Sequence, residues 1–423
     1  MNRGEPMSWK ASSVIALAIG AVIAAFGASD EAIAAPVRIG CYGDNWVPTL
    51  AMLEPTPAGQ MTFKTLRCTP IPEGWPRILP PDLSPNGESI SAFGFTKGLW
   101  LGDVTRGGRA YTIKESLPGG PLLRAAPFAW LDDSSAIIGV KREMAVPSGF
   151  ALGSLRPYLF SSDGSQTKLP ELVHPNGPLD EIYWIGGSGL ALAAFGTKGN
   201  YYKPEHEDRT PTLALVDAHV GTILQAVEKA SVSELADQKS LEAVTSRIDA
   251  SGKAHVLIGW APGKWLLWVQ GQQPRVVPIS STTWRTQFVL SSDASSVLIM
   301  GNLSATGSIC EFGNPCPPPK PQSGTIAELR DVSTGRLKWA ISGTASYFSN
   351  SAAPAVSPDG RYGLISLPDG QGDAIALISM GTGRVIQKFR RPGWGPIGLS
   401  FSQDSKFAFV VGGTIVATYG VAE

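Results

Sequence analysis

A small polar turn between two apolar runs recurs seven times along this chain, and that recurrence constrains the fold more than any other feature. The clearest copy is Ala355-Val356-Ser357-Pro358-Asp359-Gly360-Arg361-Tyr362-Gly363-Leu364-Ile365-Ser366. Apolar residues on either side of Pro-Asp-Gly predict a tight antiparallel hairpin, with Gly360 taking the positive φ that the turn needs. The other turns contain Ser84-Pro85-Asn86-Gly87, Asp132-Asp133-Ser134-Ser135, Gly186-Gly187-Ser188-Gly189, Asp249-Ala250-Ser251-Gly252, Ser292-Asp293-Ala294-Ser295 and Gln403-Asp404-Ser405-Lys406. A second hairpin accompanies the first. In the clearest copy it runs through Ala374-Ile375-Ala376-Leu377-Ile378-Ser379, turns at Gly381-Thr382-Gly383 and returns through Arg384-Val385-Ile386-Gln387-Lys388-Phe389. Its copies begin near Thr49, Leu99, Tyr158, Thr212, Trp265, Thr325 and Ala374.

Two hairpins make four short antiparallel strands. Seven of each predict an all-β fold, a seven-bladed β-propeller of four-stranded antiparallel blades. The segment 49–67 reads as a second hairpin with no first hairpin before it, and 397–411 reads as a first hairpin followed only by 414–421. The ring is therefore expected to close by pairing the N- and C-terminal segments, which removes open sheet edges.

The Ser-Pro-Asp-Gly-Arg-Tyr turn at 357–362 and the Ser-Pro-Asn-Gly-Glu turn at 84–88 resemble the WD40-like, TolB-type propeller repeat of bacterial proteins. The stretch Leu329-Arg330-Asp331-Val332-Ser333-Thr334-Gly335-Arg336-Leu337-Lys338-Trp339 resembles the repeat of quinoprotein-type propellers. Both resemblances imply the propeller fold and say little about function, because propellers serve as binding modules and as enzymes alike.

The N-terminus predicts export. Arg3 and Lys10 form a positive region, Val14 to Phe26 is apolar and uncharged, and Ala32-Ile33-Ala34 offers a small-x-small cleavage pattern. The apolar run is shorter than the ~20 residues of a membrane span. We expect a signal peptide at 1–34, a single propeller domain at 35–423, no transmembrane span after cleavage, and a periplasmic or secreted bacterial monomer. In an oxidising compartment Cys41, Cys68, Cys310 and Cys316 become disulfide candidates, with Cys310–Cys316 and Cys41–Cys68 the favoured pairs. Neither pair has CxxC spacing, which disfavours zinc. Formal net charge is zero and 17% of residues are charged, so composition gives no electrostatic case for nucleic acid.

An antiparallel meander puts alternate turns at opposite ends of a blade. Turns within hairpins are short; the connections between hairpins and between blades vary, and include 139–156, 195–211, 227–243 and 301–324. The third of these is expected to hold a short helix, with Ser231 and Glu234 spaced as a capping box. Insertion confined to one face points to function there. Three inter-blade connections on that face place Trp beside Arg: Trp75 and Arg77, Trp284 and Arg285, Arg391 and Trp394. A fourth carries Tyr347-Phe348. Trp and Arg are enriched at binding hot spots, although Trp also serves as a packing wedge.

No catalytic residue and no metal set is predicted. Glu205-His206-Glu207-Asp208 is the densest group of ligand types, but neighbours on an extended loop diverge and Thr210 replaces the second His of a zinc protease motif. His174, His219 and His255 are tied to no nucleophile, and no Gly-x-Ser-x-Gly elbow occurs. No cofactor is expected. The expected function is a non-catalytic scaffold that binds a protein, peptide or envelope ligand through the loop-rich face. The alternatives are a lyase or quinoprotein-type enzyme with its site at the channel mouth, and a purely structural envelope protein.

Overall fold

The strands of this protein are short apolar runs separated by turn residues, and they assemble only with their immediate neighbours in sequence, apart from one strand. The computed structural model describes residues 63–70, 82–86, 88–94, 98–103, 111–113, 128–142, 155–161, 165–196, 212–228, 243–261, 264–279, 287–301, 322–345, 353–369, 372–390, 397–412 and 415–421. All lie within the compact unit Cys41–Glu423. Among the described residues every regular element is a strand, and no helix is long and apolar enough to cross a membrane.

These strands form seven four-stranded antiparallel sheets. In chain order, the first six are meanders over 82–113, 128–168, 179–228, 243–277, 287–345 and 355–390. The seventh contains Ile397–Phe401, Phe407–Gly412 and Ile415–Val421, with Phe63–Pro70 as its fourth strand. Phe63 pairs with Val421 and Pro70 with Ile415, with a register shift between Thr65 and Arg67. The two chain ends thus share a sheet, as the repeat count implies. Among the described residues the C-terminal segment supplies three strands of this sheet and the N-terminal segment one, a division the sequence leaves open; most of the hairpin expected over 49–67 lies outside the described residues. Thr49 to Leu53 lies outside the described residues, as does the expected helix at 229–242.

Burial follows position within each sheet. The middle strands Leu190–Phe195 and Thr212–Asp217 are buried almost throughout, while Thr222–Glu228 beside them alternates. Middle strands such as these are apolar on both faces because the second to sixth sheets are each covered on both sides. Ile299 packs on Trp265 and Leu257 of the fourth sheet, while its neighbours Leu298 and Met300 pack on Ile365 and Ile378 of the sixth. Similar seams join the first and second sheets through Leu99 and Phe160, the second and third through Val140 and Phe195, and the third and fourth through Leu213 and Trp268. The sixth and seventh meet at Leu377 and Val410. The core is therefore a series of flat apolar seams between sheets.

Candidate functional site

The two ends of the sheets differ in their connections. All seven turns between first and second strands have five residues: 84–88, 131–135, 185–189, 249–253, 291–295, 357–361 and 402–406. Those between third and fourth strands run from four residues, as at 218–221, to seven, at 104–110. At the opposite end the connections run from two residues, at 262–263, to twenty-one, at 301–321.

The polar groups of the short turns bond within the turns themselves. The Ser357 hydroxyl donates to Asp359 Oδ1 (2.6 Å) and accepts from the Tyr362 N–H (3.0 Å), while Asp359 Oδ1 accepts from the Arg361 N–H (3.0 Å). Ser402 and Asp404 repeat this arrangement, as do Ser291 and Asp293, and Ser84 with Asn86 in place of Asp. Gly360 adopts φ +74° at the following position. Hydrogen bonds to these carboxylates favour the charged form. The Ser402 hydroxyl accordingly holds Asp404 below the usual carboxylate range. In a third-to-fourth-strand turn, the Ser333 hydroxyl and the Thr334 N–H and hydroxyl lower Asp331 to about 2.

The short turns also fasten neighbouring sheets to one another. The Asn86 N–H donates to Ser134 Oγ of the second sheet (3.0 Å), and the Asp132 N–H donates to the Gly187 carbonyl of the third (3.1 Å). The Asp359 N–H donates to Ser405 Oγ (3.1 Å), and the Gln403 N–H of the seventh sheet donates to the Pro85 carbonyl of the first (2.9 Å). Ser134 and Ser405 both hold positive φ, so each accepts backbone strain at the position from which it bonds the next sheet. Nearer the outer strands, the Gln225 amide accepts from the Gly271 N–H and donates to the Gln272 carbonyl. Trp339 donates from Nε1 to the Met380 carbonyl (2.7 Å), and its ring lies where a Cβ on Gly383 would stand.

Trp75, Arg77, Trp284, Arg285, Tyr347, Arg391 and Trp394 fall outside the described residues, and so do Cys41, Cys310, Cys316 and the group at 205–208. Cys68 is in the strand Phe63–Pro70. The strand order does fix which strands these segments join. Residues 71–81, 278–286, 346–354 and 391–396 each link the fourth strand of one sheet to the first strand of the next. The sheets they link are the seventh to first, fourth to fifth, fifth to sixth and sixth to seventh. The four motifs therefore occupy successive junctions, which spacing along the sequence alone does not reveal.

The described histidines serve local structure. His174 Nδ1 accepts from the Asn176 N–H, and its ring lies 5.3 Å from that of Phe195. His219 covers Gly189, so that a Cβ there would meet the imidazole. His255 Nε2 is 2.7 Å from Asp249 Oδ2. Directly across the ladder from His255 stands Arg247, a residue that the sequence reading passed over. Burial pushes the Arg247 guanidinium below its ordinary pKa, opposed by the charge of Asp132. Aligning the repeats on their turns exposes this residue as the one cation at its position: Asp82, Ala129, Tyr183, Val289, Ala355 and Ser400 stand two residues before the other six turns where Arg247 stands here. Among the described residues no three His, Cys, Asp or Glu side chains gather around a common point. Comparison with models of known protein families gives no match, and comparison with curated proteins gives none.

Proposed function

We propose that this protein is an exported, seven-bladed β-propeller that acts as a binding scaffold for a protein, peptide or envelope ligand, using the side that carries its long connections. The observation that carries the reading is the asymmetry between the two ends of the sheets. On one side, all seven first-to-second-strand turns have five residues, and those of the sixth, seventh, first, second and third sheets hydrogen-bond in series. On the other, connections range from two to twenty-one residues. A surface whose polar groups are committed to neighbouring turns is restricted in what it can change, whereas connections of varied length can be shaped to a partner.

Ring closure is supported by two observations. The seventh sheet bonds to the first through Gln403 and Pro85, and Phe63–Pro70 completes the seventh sheet beside Ile415–Val421. In a closed ring, the four junctions bearing Trp75 and Arg77, Trp284 and Arg285, Tyr347, and Arg391 and Trp394 form one continuous arc. Aromatic and guanidinium groups concentrated on one arc suit a hot-spot cluster, where a few large side chains supply most of the binding energy. The resemblance of the 357–362 turn to TolB-type repeats and the export signal at 1–34 fit a scaffold of the bacterial envelope.

Affinity capture from periplasm with wild type and a Trp75→Ala/Trp284→Ala/Trp394→Ala variant tests the reading. The expected result is a specific partner held by wild type and lost by a variant of unchanged melting temperature. A partner retained by the triple variant, or none with either protein, overturns it.

A further inference from the structure

We propose that the outer edge of the fifth sheet accepts an acidic peptide segment as an added β-strand. The edge is Leu337–Ala345, nine residues long and outermost in its sheet. Among the described residues it pairs with Gln322–Asp331 alone, so its other side presents backbone N–H and C=O groups to no strand. Sheet edges are usually guarded by brevity, charge or proline. The outermost strands Tyr111–Ile113, Gln166–Lys168 and Arg275–Val277 have three residues each, and Phe63–Pro70 ends in proline. In Leu337–Ala345 the one charge is Lys338, and nothing from Trp339 to Ala345 is charged or proline. An extended peptide laid along such an edge gains a ladder of main-chain hydrogen bonds.

The surroundings of the edge select the sign of the partner. The chain as a whole carries 35 Lys and Arg against 35 Asp and Glu. Yet the outermost strands of the fourth to sixth sheets and their turns, 270–279, 332–345 and 380–390, contain Arg275, Arg336, Lys338, Arg384, Lys388 and Arg390 and no Asp or Glu. All of these cations but Arg390 are described and exposed. Packing gathers them around the fifth sheet. Arg275 pairs with Leu267 and Lys388 with Ala376, residues that pack into the seams with that sheet. Directly paired residues share a face, so both cations are on the faces turned toward it. The turn bearing Arg384 abuts the edge strand itself, where the Trp339 ring lies over Gly383. The turn bearing Arg336 rests on the fourth sheet, with Gly335 against the Pro278 carbonyl. The carboxylates of Gln322–Asp331 are occupied: Glu328 accepts from Arg330 Nε (2.8 Å), and Asp331 accepts from the Ser333 and Thr334 hydroxyls. A second copy of this chain would bring the same cations to the edge. A strand bearing Glu meets them with complementary charge.

The test is fluorescence anisotropy of a labelled Val-Glu-Val-Glu-Val-Glu-Val peptide with the full chain, at low and high sodium chloride. Wild type should bind this peptide, more weakly as salt rises, and should not bind its Lys-for-Glu counterpart. N-methylating either the Val set or the Glu set blocks the hydrogen bonds along one edge of the peptide, so one of the two methylated forms should lose binding and the other keep it. Arg336→Glu/Arg384→Glu/Lys388→Glu should bind the parent peptide at least tenfold more weakly at an unchanged melting temperature. The methylated pair is read on wild type and so does not depend on how any variant folds. No binding by wild type, equal binding by the triple variant, or the same response to both methylated forms would overturn the proposal. Equal responses together with binding to phosphatidylglycerol vesicles would instead mark a general anionic-surface contact. None of these outcomes depends on whether a partner binds at the long connections.

Discussion

At the residue scale the short turns combine two requirements, a left-handed residue and a carboxylate or amide that gathers nearby donors. Pro-Asp-Gly at 358–360 advertises both, and the sequence makes that hairpin legible. It is less informative at Ser134 and Ser405. These also take positive φ, and a serine there is explained only by the neighbouring sheet whose N–H it accepts. The carboxylates make a testable contribution at low pH. Asp331 titrates near 2 when folded, against 3.8 ordinarily. A depressed folded pKa gives stability that is present above the ordinary value and lost as pH falls through the folded one. Wild-type stability should therefore fall between about pH 4 and about pH 2. Asp331→Asn retains an acceptor but cannot titrate, so its melting temperature should fall less steeply over that interval. Parallel slopes in acid denaturation would contradict this role.

Among elements, the decisive packing is between sheets. Alternation of apolar residues identifies strands, and fully apolar runs such as Leu190–Phe195 identify those covered on both faces. What alternation does not disclose is which sheet a side chain meets, because Ile299 and Leu298 read alike but face opposite seams. Trp339 was read as part of a repeat resembling that of quinoproteins. In the structure it joins the fifth sheet to the sixth by its Nε1 bond to Met380 and its ring beneath Gly383. Trp339→Phe removes that donor while keeping an aromatic ring, and should lower stability by about 1 kcal/mol, the usual net worth of one hydrogen bond. Chemical denaturation with an unchanged m-value would report this loss. A midpoint equal to wild type would show that the bond contributes nothing.

The whole molecule is a set of similar units, and its repeat count was legible because each turn carries the same small polar signature. The division of the seventh sheet was not. Nothing in the sequence decides which end supplies which strands, since the choice depends on which edge the strand Ile415–Val421 leaves open to Phe63–Pro70. The long connections are the hardest to read, because a Trp beside an Arg signals contact without naming the surface it meets. Our account of them depends on a closed ring that brings four junctions onto one arc. The most direct check is a disulfide trap across the closing pair, Phe63→Cys/Val421→Cys, followed by non-reducing peptide mass spectrometry. Paired residues on adjacent antiparallel strands have Cα atoms about 4.5–5.5 Å apart, within reach of a disulfide. A closed ring predicts an intramolecular link in the monomer and a melting temperature above that of the reduced form. An unlinked protein, or links found only between molecules, would contradict it.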